Sequence, residues 1–215
     1  MRIRDFYLES DPDEIGSRRS KTFNLIARPI VVLYGACFES DRAYDSWRYA
    51  VFTTKKKSEH RRMTTPADVA TIRWYVDYAK FFACSESKQR ETVLRALHGG
   101  VRAIARQKSI STRPFDDAHR RVRSVGLRAE RECLRKLGPA HGRSAVLVGS
   151  YQGSQFVAYL LVHNREGYVI GRKLAFRALA DEVYFQNKMG SLRWESVDVV
   201  SLLSVEERLI ARMKL

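Results

Sequence analysis

The chain has 215 residues, of which 45% are hydrophobic and 29% charged, a composition that excludes a disordered segment and is typical of a folded protein. Its 39 lysine and arginine residues outnumber 24 acidic residues, which gives a formal charge of +15. Because so much like charge opposes compaction, we expect a polyanionic partner. Nucleic acid, either DNA or RNA, is the first candidate, and an acidic membrane surface or an acidic protein partner is the alternative.

The cysteines and the apolar segments do not indicate an oxidising compartment or a membrane. Cys37, Cys84 and Cys133 are far apart in the sequence, so neither a disulfide framework nor a zinc site is predicted. We expect no metal and no cofactor. The first residues lack the apolar core of a secretion signal, and no stretch approaches the roughly 20 apolar residues that span a bilayer. An intracellular protein is therefore predicted, cytoplasmic or associated with a nucleoid or nucleus.

The first part of the chain is predicted to form an arm, two strands and a helix. Residues 1–28 mix acidic and basic side chains, which is typical of a peripheral or mobile arm. The β-branched run at residues 30–34 predicts a buried strand, and residues 47–53 an antiparallel partner for it. A basic loop follows at residues 55–62. The sequence Thr65-Pro66-Ala67-Asp68 has the hydroxyl, proline and acid of a helix start, and apolar spacing continues this helix to residue 83.

The second half is predicted to pass from helices to strands. A helix over residues 94–104 contains Gly99 and Gly100, which are expected to bend or break it. A third helix is predicted over residues 114–137, ended by Gly138-Pro139. Strands are then expected at residues 145–148, 156–162, 168–171 and 192–200, and helices at 174–186 and 205–213.

These elements predict an α+β fold with an N-terminal strand pair, a helical middle and a C-terminal antiparallel sheet with flanking helices. Residues 29–138 and 139–215 form the two predicted regions, with Gly138-Pro139 at their boundary. They could equally belong to one domain, and the oligomeric state is not predicted.

The predicted binding site consists of ten basic residues. Taking about 100° per residue, five arginines of the third predicted helix share a face opposite its apolar stripe. Their planar guanidinium groups suit bidentate contacts with phosphate. The basic loop supplies the other five side chains. The full set is Lys55, Lys56, Lys57, Arg61, Arg62, Arg120, Arg121, Arg128, Arg131 and Arg135. An ordinary solvated basic surface is the alternative interpretation of each segment.

Signals for catalysis are weaker than the signal for binding. Arg113 and His119 have an Arg-x5-His spacing that resembles the motif of HEPN ribonucleases. The resemblance covers seven residues and implies an arginine and a histidine acting on the scissile phosphate and the ribose hydroxyl. Pro114 departs from it, because it places Arg113 at a helix start.

The function that we predict is a non-catalytic nucleic-acid-binding protein. One alternative is an enzyme acting on nucleic acid, a nuclease or a modifying enzyme. The other is a structural or interaction protein that binds an acidic protein partner.

Overall fold

The computed structural model describes residues 3, 5–39, 48–64, 69–127, 130–139, 142–152, 155–180 and 185–215. Within these ranges it contains five helices and three sheets, which confirms the α+β class. The chain divides into two compact units, Met1–Arg128 (unit 1) and Ala129–Leu215 (unit 2). None of the described helices is both long and apolar enough to cross a membrane.

Unit 1 is built on a mixed four-stranded sheet against which helices pack. Its strands are β1 (Asp5–Ser10), β2 (Arg48–Thr54), β3 (Met63–Thr64) and β4 (Val69–Tyr75). The strand order is β1-β2-β4-β3, with β1, β2 and β4 parallel and β3 antiparallel at the edge. Its helices are α1 (Pro12–Ile15), α2 (Ser17–Cys37), α3 (Tyr78–Ala83), α4 (Glu86–Gln107) and α5 (Arg113–Ser124). Helices α2 and α4 lie against the sheet, and α5 packs on both of them.

Residues 5–10 and 20–28 contribute buried side chains to this core, so they do not form the predicted arm. Strand β1 pairs with β2 along its whole length. The strand predicted at residues 30–34 is wrong, because these residues continue helix α2. Phe23, Ala27, Ile30 and Tyr34 are all completely buried in α2, and their spacing of three and four residues is that of one helix face. The apolar run is therefore one part of a longer helical stripe.

The helix predicted over residues 65–83 is also wrong in its first half. Residues 69–75 form strand β4, and helix α3 begins only at Tyr78. Asp77 caps α3, since its Oδ1 accepts a hydrogen bond from the backbone N–H of Lys80 at 3.1 Å. The predicted cap at residues 65–68 lies outside the described residues. The strand predicted at residues 47–53 is confirmed as β2, but its partners are the parallel strands β1 and β4.

Helix α4 runs without a break through Gly99 and Gly100, so the predicted interruption is wrong. A Cβ atom at Gly99 would lie 2.3 Å from Cζ2 of Trp74, and one at Gly100 would lie 2.5 Å from Cγ2 of Val51. Both distances are far below van der Waals contact. The two glycines therefore let the helix approach the sheet closely, which is a packing role and not a helix-breaking one.

The third predicted helix, over residues 114–137, is two elements in different units. Helix α5 ends at Ser124, and Gly126 and Leu127 follow with φ angles of 67° and 57°. This left-handed backbone ends the helix. Residues 130–137 then form strand β5 of unit 2. Arg120 and Arg121 are thus helical, whereas Arg131 and Arg135 lie in a strand, and Arg128 lies outside the described residues. The predicted single arginine face is wrong.

Unit 2 consists of two antiparallel sheets made by consecutive strands. The first has the order β5-β6-β7-β8 and the second the order β11-β10-β9. The strands are β5 (Glu130–Leu137), β6 (Ser144–Gln152), β7 (Gln155–His163), β8 (Val169–Leu179), β9 (Ser191–Ser196), β10 (Val199–Leu203) and β11 (Leu209–Lys214). Within the unit, β5 lies next to β9 and β8 next to β11. The antiparallel sheet predicted for this region is confirmed.

The helices predicted to flank that sheet are wrong. Residues 174–179 extend strand β8, and residues 209–214 form β11. In β11, Ala211 and Met213 are buried while Arg212 and Lys214 are exposed. This two-residue alternation is that of a strand with one buried face.

Candidate nucleic-acid interface

The excess positive charge is concentrated in unit 1. This unit holds 26 lysine and arginine residues against 15 acidic residues, a formal charge of +11. Unit 2 holds 13 against 9, a charge of +4. A surface that attracts a polyanion is therefore expected first in unit 1.

Two lysines of the predicted basic loop are engaged in local contacts. The Nζ atom of Lys55 donates to the carbonyl oxygen of Glu14 at 2.6 Å, and its backbone N–H donates to Oε2 of the same residue at 2.7 Å. Lys56 forms an ion pair with Glu59 at 3.2 Å. Arg62 is exposed, but it lines a depression that also contains Glu9 and other acidic residues. These three cations have acidic surroundings.

Lys57 and Arg61 lie over aromatic rings at the end of β4. The Nζ atom of Lys57 is 5.6 Å from the ring centre of Tyr75, and Cζ of Arg61 is 5.7 Å from that of Trp74. Between them, the Nδ1 atom of His60 accepts a hydrogen bond from the backbone N–H of Tyr75 at 3.1 Å. Burial and the adjacent Arg61 charge lower the pKa of His60. The neutral imidazole thus fastens the loop to the strand while its neighbouring cations stay exposed.

A cleft of about 750 Å³ opens beside these aromatic residues. The loop, the end of β4, helix α3 and the first half of α4 line it. Its charged and aromatic lining residues are Lys57, Trp74, Tyr75, Asp77, Lys80, Phe81, Lys88, Glu91 and Arg95. We call it the basic cleft, because its cations outnumber its carboxylates by four to two.

The four cations of the basic cleft are exposed and lack acidic partners. Within the described ranges, no carboxylate lies within 4.0 Å of the charged group of Lys57, Lys80, Lys88 or Arg95. Lys88 and Arg95 are seven residues apart on α4 and so share one helix face. Unpaired exposed cations beside aromatic rings can bind the phosphates of a polyanion without first breaking an ion pair.

Among the predicted site residues whose side chains the structure describes, only Lys57 lines this cleft. Lys80, Lys88 and Arg95 were not predicted as site residues. The seven-residue spacing of Lys88 and Arg95 was a usable signal, since the predicted helix at residues 94–104 needed only to be extended towards the N-terminus. No sequence signal indicated that Lys80 would lie beside them, because that depends on the packing of α3 against α4.

The arginines of α5 are paired locally. Arg120 forms an ion pair with Asp117, Arg121 with Glu39 at 2.7 Å, and Arg123 with Glu91 at 3.4 Å. The hydrogen bond to Glu39 raises the pKa of Arg121. In unit 2, Arg135 binds Glu132 through Nε at 2.8 Å. The nine predicted residues that the structure describes therefore fall into three groups, on the loop, on α5 and on β5.

Helices α4 and α5 also share a pair of stacked histidines. The rings of His98 and His119 are 4.1 Å apart and nearly parallel. His98 Nε2 lies 3.3 Å from Asp116 Oδ1, and the Nε atom of Arg102 lies 3.1 Å from the same oxygen. Burial, with the charges of His119 and Arg102, lowers the pKa of His98 to about 4. Burial and the charge of Arg123 also lower the pKa of His119.

Arg113 does not join this histidine pair. It begins α5, is 88% exposed and lies 4.0 Å from Asp117. His119 is six positions further along the chain, which places the two about 120° apart around the helix. The ring that contacts His119 is instead His98 of α4. The stacked pair is thus a contact between two helices, and the structure does not assemble the Arg-x5-His arrangement.

Among the described residues, no group of three or more histidine, cysteine or acidic side chains is placed to hold a metal ion. The basic cleft and the histidine pair are the two features of unit 1 that we consider further as functional sites. Comparison of the chain with protein-family models, with curated proteins and with solved structures finds no match.

Proposed function

We propose that the protein binds nucleic acid and that the basic cleft of unit 1 contacts the phosphate backbone. The observation that carries this proposal is the presence of four exposed cations, without acidic partners among the described residues, around one cleft. Three of the four are lysines. Lysine supplies a point charge and not a planar fork, so the contacts are with phosphates and tolerate different base sequences.

The aromatic residues of the cleft add a second kind of contact. Trp74 and Tyr75 are half-buried, and Lys57 and Arg61 lie over their rings. An unpaired base can stack on such a ring, whereas a base inside a duplex is already stacked on its neighbours. The cleft therefore favours single-stranded over double-stranded nucleic acid.

Salt titration of binding to labelled single-stranded and double-stranded DNA and RNA tests the proposal. The triple variant Lys57→Ala, Lys88→Ala, Arg95→Ala should bind single strands about tenfold more weakly at moderate salt. The plot of log K against log salt should become shallower, its slope losing about 2 in magnitude, because each phosphate contact contributes about 0.7. The control variant Arg177→Ala, Arg208→Ala, Lys214→Ala removes the same charge from unit 2 and should retain the wild-type slope.

Two results would contradict this assignment, and a third would add catalysis to it. Equal loss of affinity in both triple variants would show that only net charge matters. No binding at low salt would exclude nucleic acid and leave an acidic protein as the partner. Shortened nucleic acid after incubation would show an enzyme acting on its bound strand.

A further inference from the structure

A second positively charged depression lies in unit 2, at the end of the first sheet. Described residues next to the ends of β5, β6 and β7 line an open pocket of about 570 Å³. Its polar lining is formed by Arg135, Arg143, Ser144, His163, Asn164 and Arg165. None of the described residues that line it is acidic. The described wall of this pocket thus contains three arginines and no acidic residue.

Two of the three arginines are held in place from outside the pocket. Nη1 of Arg143 donates to the carbonyl oxygen of Val197 at 3.0 Å and to Oδ1 of Asp198 at 2.8 Å. Arg135 binds Glu132 through Nε and Nη2. Each guanidinium keeps further N–H groups for a ligand, since arginine has five. Side chains fixed in advance lose less conformational entropy when a ligand binds.

Arg165 is the arginine of the pocket without such a partner. It is exposed and, among the described residues, has no carboxylate within 4.0 Å. Gly142, with φ of 85°, lies directly against it, and a Cβ there would be 2.5 Å from Cβ of Arg165. The glycine therefore allows the two residues to approach each other, which brings Arg165 to the same pocket as Arg143.

His163 lies in the same wall. Its Nδ1 atom is buried and has no hydrogen-bond partner among the described residues. A buried polar atom without a partner is unfavourable, so a ligand that forms a hydrogen bond with this ring would remove that cost.

We propose that this pocket binds a phosphate group in its dianionic, monoester form. A phosphate dianion has three exposed oxygens that accept charge-assisted hydrogen bonds, and arginine donates to such oxygens in pairs. The site goes beyond the proposed function, because it lies in the other unit and uses none of the basic-cleft residues. Free phosphate, or the terminal phosphate of a nucleic-acid strand, could supply the group.

Isothermal titration of the full chain with inorganic phosphate at constant ionic strength tests the site. We expect one phosphate per chain and about tenfold weaker binding in Arg165→Ala, because this variant removes a charged donor. Arg165 makes no described hydrogen bond or ion pair, so the variant should fold. Arg208→Ala removes an equal charge outside the pocket and should bind phosphate like the wild type. Absence of phosphate binding, or equal weakening in both variants, would overturn the proposal.

A pair of oligonucleotides distinguishes the two sources of the phosphate. One carries a 5′-phosphate and the other, of the same sequence, a 5′-hydroxyl. Tighter binding of the phosphorylated strand that is lost in Arg165→Ala would identify a strand end as the ligand. Equal binding of both strands, with inorganic phosphate still bound, would identify a free phosphate or small phosphorylated molecule. Phosphate and oligonucleotide binding can both be measured again in the basic-cleft triple variant. Failure of the proposed function would then be distinguished from failure of the phosphate site.

Discussion

Acidification from pH 6.5 to pH 5 should lower the free energy of unfolding of unit 1 by about 1.5 kcal/mol through His98 alone. The pKa of His98 falls from 6.5 in the unfolded chain to about 4 in the folded one. The unfolded state therefore binds the proton first as the pH falls. The stabilisation is complete above pH 6.5 and is lost progressively down to pH 4, for a total of about 3 kcal/mol.

Burial of the His98 ring is the largest cause of this effect, and the stacked His119 ring adds to it. Protonation would place a charge on a largely buried ring 4.1 Å from His119, and Arg102 is already present on the same side. Asp116 opposes the shift, because its carboxylate favours the protonated ring. His119 adds to the loss in the same direction, since its own pKa is lowered. Protonation of either imidazole therefore weakens the contact between the two rings.

Urea unfolding of the wild type and of His98→Gln, His119→Gln at pH 6.5 and pH 5 measures this loss. The window avoids the main titration of the carboxylates, which lies lower. The double variant should show a much smaller change in unfolding free energy between the two pH values. A wild-type stability that is the same at both, or a loss that persists in the double variant, would show that the pair is not the cause.

Replacing Gly100 by alanine should destabilise unit 1 by about 2 kcal/mol. The new Cβ would lie 2.5 Å from Cγ2 and 2.9 Å from Cγ1 of Val51. Val51 is completely buried. Its strand, β2, lies between β1 and β4 in the sheet. A β-branched side chain there has little freedom to move aside, so helix α4 must shift from the sheet. Alanine's better helix propensity offsets only about 1 kcal/mol of this cost.

Gly35 of α2 provides the matched control for this substitution. It is also a helical glycine, but the nearest atom to its added Cβ is Cδ2 of Phe6, at an ordinary 3.8 Å. Gly35→Ala should therefore stabilise the protein slightly, by about 0.5 kcal/mol. Thermal or denaturant unfolding compares the two. If both substitutions changed stability by the same amount and sign, the close approach of α4 to β2 would not be what requires Gly100.

Prediction from sequence succeeded for the class of fold and for strands β6 and β7 of unit 2, which are separated by a short turn. It joined β9 and β10 into one strand over residues 192–200. It failed where a short apolar run fitted two elements. Residues 30–34 look like a strand alone, and their helical role appears only when Phe23 and Ala27 are included in the stripe. At residues 205–213 the two-residue alternation of Ala211 and Met213 was too short to separate a strand from a helix.

The arginine face failed for a different reason. Gly126 was an available sign that the helix ends, but the apolar spacing on both sides of it matched one helix. The apolar positions in fact belong first to helix α5 and then to strand β5. Gly126 and Leu127, which have left-handed backbone, lie between the two elements. The basic cleft was beyond reach from sequence because its residues come from four elements. Their proximity depends on the packing of α3 and α4 beside the end of β4.

The pairing of β1 with β2 has a consequence for the order of folding. Asp5 faces Arg48 across this parallel pair, so β1 cannot pair with β2 until the long segment between them has been synthesised. In unit 2 the consecutive strands form hairpins, and their ends meet across short turns. Closing a short loop costs less entropy, and local contacts form faster than distant ones. We therefore expect unit 1 to leave the ribosome first and yet to be the slower of the two to reach its native state.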